Sequence, residues 1–327
     1  MRTMRPILAA VALALLMSGC AAGKTTSSAV RGVALETALP DIKAVKLGPG
    51  ERLRAVATTG IVADVVAHVG GDALELQALM GPGQDPHSYS PTPQDIAAVE
   101  NAQVVFINGF RLEEGLAATV ETVAARGQPV VSVSAGIKPR VAEDTSEHPA
   151  GDPHVWTDPS LVNIWVQNIA ATLSALDPAR ASSYRANAAA YARQLDELDG
   201  YIRGQVAKVP ADRRKLVTDH DQLSYLAARY RFEVVGAVIP GITTAAEPSA
   251  KDLAALTDKI RAQHVTAVFV GTDVNPKMAE LVAKETGARL VPLYSGSLGP
   301  AGSGADTYLG MMRANIDRIV QGLGGGT

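Results

Sequence analysis

Residues 177–209 read DPARASSYRANAAAYARQLDELDGYIRGQVAKV. Asp177 followed by Pro178 has the form of a helix N-cap and a first-turn proline, and no proline follows until Pro210. Gly200 and Gly204 are the weak points at which such a helix would fray. Some thirty residues at about 1.5 Å each span roughly 45 Å, longer than most helices inside a single globular unit. That length suits a rod joining two lobes.

The chain on either side of the rod supports this reading. Before it, strands are predicted at 54–59, 73–79, 103–107 and 130–133, with helices at 61–69, 93–100 and 161–176. After it, strands at 215–218, 234–238, 266–270 and 289–292 alternate with helices at 222–230, 249–263, 276–286 and 307–323. Alternation of this kind gives mainly parallel sheets flanked by helices. The body of the chain is long for one typical core and comfortable for two. The expected fold is therefore α/β, with an N-terminal lobe at 51–176, a linking helix at 177–209 and a C-terminal lobe at 210–327.

Upstream of the first lobe, Arg2 and Arg5 precede an apolar run that ends in Leu16-Met17-Ser18-Gly19-Cys20. The run is too short to span a bilayer and reads as a signal peptide over residues 1–20. Its end resembles a bacterial lipobox, with Met17 where leucine is usual, so Cys20 is expected to be lipidated and to become the first mature residue. The other reading is an ordinary secreted protein with a chance cysteine. Residues 21–50, small and polar with a break at Gly48-Pro49-Gly50, read as a flexible tether. The expected location is the cell surface or periplasm, with the chain a monomer anchored to the membrane by lipid.

Composition excludes several functions. Cys20 is the only cysteine, so disulfides and thiolate metal ligands are ruled out of the mature body. Loss of the leader, with two arginines and no acid, takes the formal charge from −3 to −5, and nothing in that balance points to nucleic acid. An aromatic content of 4% offers no stacking platform for bases or sugars.

Three histidines carry the chemistry: His87 in GPGQDPHSYSPTP, His154 in GDPHVWTDP and His220 in LVTDHDQLSYL. In an open α/β sheet, ligands bind at loops leaving the carboxyl ends of strands, and all three histidines fall at strand exits or helix entries. Two belong to the first lobe and one to the second, so a cleft between the lobes is their natural meeting point. Three imidazoles with one open position make a plausible zinc site. His68, inside a helix, and His264, before a strand, read as structural. His148, in the acidic loop AEDTSEHPAG at 142–151, reads either as a scavenger of metal for a deeper site or as a solvated side chain.

The chain from about residue 53 to 323 resembles the metal-binding components of bacterial ABC importers for zinc and manganese. The resemblance rests on ATTGIVADVVAHVGGD (57–72), LMGPGQDPHSYSPTPQD (79–95), INGFRLEEGL (107–116), DPHVWTDP (152–159), GITTAAEPSAKD (241–252) and GADTYLGMMRANIDRIV (304–320). It implies two α/β lobes joined by a rigid helix, a metal buried between them, and a permease subunit in the membrane as partner. It further implies that His87 and His154 are the first-lobe ligands and His220 the third. Manganese-type members carry a glutamate at the third position; three neutral nitrogens favour Zn2+ over Mn2+, which prefers oxygen donors.

One position departs from the family pattern. The usual fourth ligand is an aspartate in a Thr-Asp-Ser-type segment before the last helix, and here Leu293-Tyr294-Ser295-Gly296-Ser297-Leu298 places Gly296 there. Water is the favoured occupant of the fourth position; Asp219, Asp221 or His148 are alternatives, as is a weakened site. Asp152 and Asp158 read as helix caps or as acceptors that orient His154. The expected function is capture of Zn2+ and delivery to an ABC permease, without catalysis. A metal-sequestering surface protein or adhesin, and a three-histidine zinc enzyme, are the competing readings.

Overall fold

The structure is a computed structural model that describes residues 35–141 and 149–324. The expectations for the leader, Cys20 and His148 fall outside the described residues. Strands β1 (Leu53–Ala57), β2 (Leu74–Ala78), β3 (Val104–Ile107) and β4 (Val130–Ser132) form one sheet in the order β2-β1-β3-β4. A second sheet, β5 (Lys215–Thr218), β6 (Glu233–Ala237), β7 (Ala267–Gly271) and β8 (Arg289–Leu293), has the order β6-β5-β7-β8. Every pairing is parallel. In both sheets the chain first turns to one side and then crosses to the other, which opens a crevice at the carboxyl ends of β1 and β3 and of β5 and β7.

The helices are α1 (Gly60–Gly70), α2 (Pro93–Asn101), α3 (Ala117–Ala125), α4 (Pro159–Leu176), α5 (Ala181–Val206), α6 (Ser224–Tyr230), α7 (Ala250–Ala262), α8 (Lys277–Thr286) and α9 (Tyr308–Gly322). Both α2 and α7 open with capping boxes, Thr92 with Asp95 and Ser249 with Asp252. Outer faces are separate: Val56, Val105 and Val130 meet Val99, Val120 and Val123 in the first lobe, and Val217, Val235 and Val268 meet Leu256, Ile260 and Val282 in the second. The inner faces are joined. Phe106, Phe269, Trp165, Tyr191, Leu198 and Ile316 belong to one continuous core, because α5 packs on α1 and α4 of the first lobe and on α9, which packs on β8 of the second.

The linking helix differs in detail from its expected form. Asp177-Pro178 opens a 3-10 turn, Pro178–Arg180, and α5 proper runs for 26 residues from Ala181, about 39 Å. A Cβ added at Gly200 or Gly204 would meet nothing within 4 Å, and neither glycine interrupts the helix. The first half of α5 holds the first lobe through Asn187 Nδ2, which donates to Val69 O (3.0 Å), and Tyr191 Oη, which donates to Asp64 (3.3 Å). Its second half holds the other lobe: Tyr201 Oη donates to Asp317 (2.7 Å), and Asp199 accepts from Arg229 and Tyr230.

Two segments depart from the sequence reading. Helix α3 was not anticipated; it starts from Leu116 without a side-chain cap, so its sequence carries no start signal. Residues 35–47, expected within the tether, lie against the first lobe. Leu39, Ile42, Val45 and Leu47 pack on the shared core, and the Glu36 carboxylate accepts from Phe110 N (2.8 Å) and Ser132 Oγ (2.7 Å). The apolar spacing of those four residues explains why this stretch is not free chain.

Candidate metal centre

Each of the three histidines is preceded within two residues by an aspartate that fixes its backbone. Asp85 Oδ1 accepts from His87 N (2.9 Å), Asp152 Oδ1 from His154 N (2.9 Å) and Asp219 Oδ1 from His220 N (2.7 Å). For the last two, the same oxygen also accepts from ring Nδ1, at 2.8 and 3.0 Å. A carboxylate on Nδ1 sets the tautomer, leaving Nε2 with a lone pair directed away from it.

Those lone pairs converge. His87 Nε2 lies 3.0 Å from His154 Nε2, which lies 3.2 Å from His220 Nε2, and the ligand atoms of all three residues fall within 4.8 Å of one another. Zinc–nitrogen bonds of about 2.0–2.1 Å at tetrahedral angles would place such atoms roughly 3.3 Å apart. Facing lone pairs at this separation repel unless a cation or proton lies between them, so the donor set fits a metal ion. His154 and His220 are only 1% and 3% exposed, whereas His87 is half-buried at the entrance. The edge of Trp156 packs on His154, with ring centroids 5.2 Å apart.

Electrostatics reinforce the geometry. Burial alone would lower the His220 pKa, but the hydrogen bond to Asp219 and the charges of Asp219, Asp273 and Asp85 raise it above its ordinary 6.5. Asp219 is held below the usual carboxylate range despite its burial, by its bonds to His220 and to Gly271 N (2.6 Å). Burial pushes Asp152 up against hydrogen bonds from Ser224 and His154 N. Asp273 is raised to about 6, by burial first and by the neighbouring charges of Asp219 and Asp85, against a hydrogen bond from Ser295.

Polar bonds clasp the lobes over the cluster. Thr244 Oγ1 donates to Asp85 Oδ2 (2.6 Å), Gly83 N to Ser297 Oγ (2.9 Å), Trp156 Nε1 to Ser295 O (3.0 Å) and Tyr225 Oη to Asp152 O (2.7 Å). Ser224 Oγ reaches the Asp152 carboxylate as well. The structure thus brings His87, His154 and His220 together and keeps His68 apart, stacked on Tyr191 at 4.5 Å. Asp152 orients His154, whereas Asp158 caps α4 through Ser160 N (2.9 Å) and pairs with Arg229 (3.3 Å). Asp85 and Asp273 were not singled out from sequence. The repeated Asp-Pro-His of 85–87 and 152–154 was a usable signal for Asp85; nothing local marks Asp273.

A ligand cluster closed between two parallel-sheet lobes that one long helix ties together defines a two-lobed substrate-binding protein. The chain belongs to the family described as ZnuA, zinc-uptake complex component A, periplasmic, which matches residues 55–322. It is 34% identical over 275 residues to the zinc-binding protein TroA of Treponema pallidum, covering 82% of this chain and 88% of that protein. The solved structure of TroA superposes with a TM-score of 0.77 at 33% identity, covering 84% of this chain and 99% of that one. The manganese ABC transporter substrate-binding lipoprotein PsaA of Streptococcus pneumoniae is 31% identical over 280 residues, covering 84% and 90%. The iron ABC transporter substrate-binding lipoprotein MtsA of Streptococcus pyogenes is 32% identical over 287 residues, covering 85% and 91%.

Proposed function

We propose that this chain is the extracytoplasmic binding component of an ABC-type importer, that it captures Zn2+ through His87, His154 and His220, and that it delivers the ion to a membrane permease. The observation that carries this reading is the convergence of three histidines, with His154 Nε2 3.0 Å from His87 Nε2 and 3.2 Å from His220 Nε2, all ligand atoms within 4.8 Å, and two of the rings locked by aspartates on the far side. Relatives are named for zinc, manganese and iron, so the choice of metal falls to the donors. Three imidazoles with no carboxylate in the converging set favour Zn2+ over Mn2+.

Delivery follows from the two-lobed build. His220 belongs to the second lobe and the other two ligands to the first, so a permease that parts the lobes removes one ligand from three. No helix among the described residues is long and apolar enough to cross a membrane, and attachment is assigned to lipid on Cys20. Competition titrations against a chelator should give tighter binding for Zn2+ than for Mn2+, with His154→Ala losing most of the Zn2+ affinity. Tighter Mn2+ binding would overturn the choice of metal, and unimpaired binding by His154→Ala would overturn the site.

A further inference from the structure

We infer that Asp273 is the anion of this metal site: from the end of β7 its carboxylate fills the space that Gly296 leaves open and holds, through a water, the fourth coordination position. The inference rests on the three-histidine cluster being the metal site.

The argument begins with space. A Cβ added at Gly296 would lie 2.3 Å from Asp273 Oδ2 and 2.8 Å from Pro86 Cδ; one added at Gly271 would lie 2.6 Å from Asp273 Oδ1 and 2.3 Å from Ser295 Oγ. Neither glycine has a positive φ, so backbone freedom does not explain them. Both make room for one inward-folded carboxylate. Two neutral donors pin it: Ser295 Oγ to Oδ1 and Gly296 N to Oδ2, each at 3.0 Å.

Charge gives the carboxylate its role. Asp273 takes part in no ion pair among the described residues, and the charges of Asp219 and Asp85 push its pKa up. A half-buried carboxylate beside two others is costly unless something cationic approaches. The nearby positive element is the histidine cluster: the charge of Asp273 acts on His220. Asp219 cannot serve in its place, because its oxygens already accept from His220 N and Nδ1, Gln222 Nε2 and Gly271 N. Asp273 stands outside the set of ligand atoms that meet within 4.8 Å, so direct ligation is left to the histidines and the inferred role of the carboxylate is through a water.

The test is a four-variant set titrated with Zn2+ against a chelator: Asp273→Asn, Asp273→Ala, Gly296→Asp and the double Asp273→Ala/Gly296→Asp. Asp273→Asn should weaken Zn2+ binding about 10–100-fold and shift the visible bands of the Co2+-loaded protein, which a purely structural tie of the 295–296 loop would leave alone. Gly296→Asp alone should also bind more weakly, since its Cβ collides with Asp273. The double variant should recover to within about threefold of the parent, a coupling that two independent sites would not show. Asp273→Asn binding within about twofold of the parent with unchanged Co2+ bands would overturn the inference, as would a double variant no tighter than Asp273→Ala. If Asp273→Asn does not fold, the double variant decides. A parent protein that binds no Zn2+, or a His154→Ala variant that binds as tightly as the parent, would instead remove the metal-site reading itself.

Discussion

The two lobes carry the same backbone at the carboxyl end of their first strands and put different side chains on it. Thr58 N donates to Phe106 O and Asp219 N to Phe269 O, both at 3.0 Å, while Met80 N donates to Thr58 O and Ile239 N to Asp219 O. Thr58 is therefore the counterpart of Asp219, and Thr59 of His220. In both lobes a buried carboxylate closes the crevice between the first and third strands. In the second it is Asp219 itself, bonded to Gly271 N and to His220. In the first it is Glu113, which accepts from Thr58 Oγ1 and from Asn108 N (2.8 Å) after arriving along a loop that holds Phe110 and Arg111 at φ 51° and 58°.

The difference shows how one strand-end pocket serves two purposes. A carboxylate growing from the strand end has one of the three converging histidines as its chain neighbour, so plugging the crevice and orienting the imidazole become one act. A carboxylate brought in by a strained loop fills the same crevice and binds Thr58 and Asn108 instead. The first lobe accordingly sends its two histidines in on loops, each set by an Asp-Pro-His turn.

The largest effect that would break this pairing of roles is His220→Ala. Zn2+ affinity should fall by more than the roughly 10–100-fold typical of losing an orienting partner, whereas Thr59→Ala at the matching position should leave it unchanged and cost only a helix cap, about 1 kcal/mol. Affinity loss in both would mean that the lobes share the metal more evenly than their side chains indicate. Next comes the pair of plugs. Asp219→Asn should weaken Zn2+ binding about 10–100-fold. Glu113→Ala should leave binding within about twofold yet lower unfolding free energy by roughly 1–3 kcal/mol, because Asn108 N and Thr58 Oγ1 lose their buried acceptor. Denaturant melts of the metal-free proteins alongside chelator competition separate the two outcomes.

Much of this was legible in the sequence. Alternating strand and helix patterns located both sheets, and placement at strand exits and helix entries, together with the family resemblance, pointed His87, His154 and His220 to one cleft. What escaped was whatever depends on groups distant in sequence. Asp273, in a Thr-Asp-Val-Asn-Pro stretch that reads as an ordinary turn, gains its meaning from Gly296 and Ser295 more than twenty residues on. Asp158 resembles Asp152 in its flanking position, yet its partners are Ser160 and Arg229. Residues 35–47 look like tether because their apolar side chains are interspersed among polar ones and their partners, such as Phe110, Ser132 and Leu176, are distant in sequence.

The smallest expected effect tests whether the carboxylate docked beside the first-lobe plug and the second-lobe plug respond oppositely to pH. Glu36, which docks beside Glu113, has its pKa raised to about 7, by burial first and by the Glu113 charge, against hydrogen bonds from Ser132 and Phe110. An acid raised on folding is protonated in the native state while the unfolded chain has ionised, so its contribution costs stability as pH climbs from about 4.5 through 7. Asp219 is shifted down, so its contribution is present above the ordinary aspartate value of 3.8 and is lost as pH falls through its folded pKa. Metal-free protein should therefore lose stability between pH 5 and pH 8, through Glu36 at the first lobe and through Asp273, raised to about 6, in the second. Glu36→Gln should recover roughly 2 kcal/mol of that loss at pH 8 and leave pH 5 nearly unchanged. Parallel stability curves for the two proteins across this range would show that the first-lobe carboxylates do not titrate with folding, and the contrast with Asp219 would then be one of position alone.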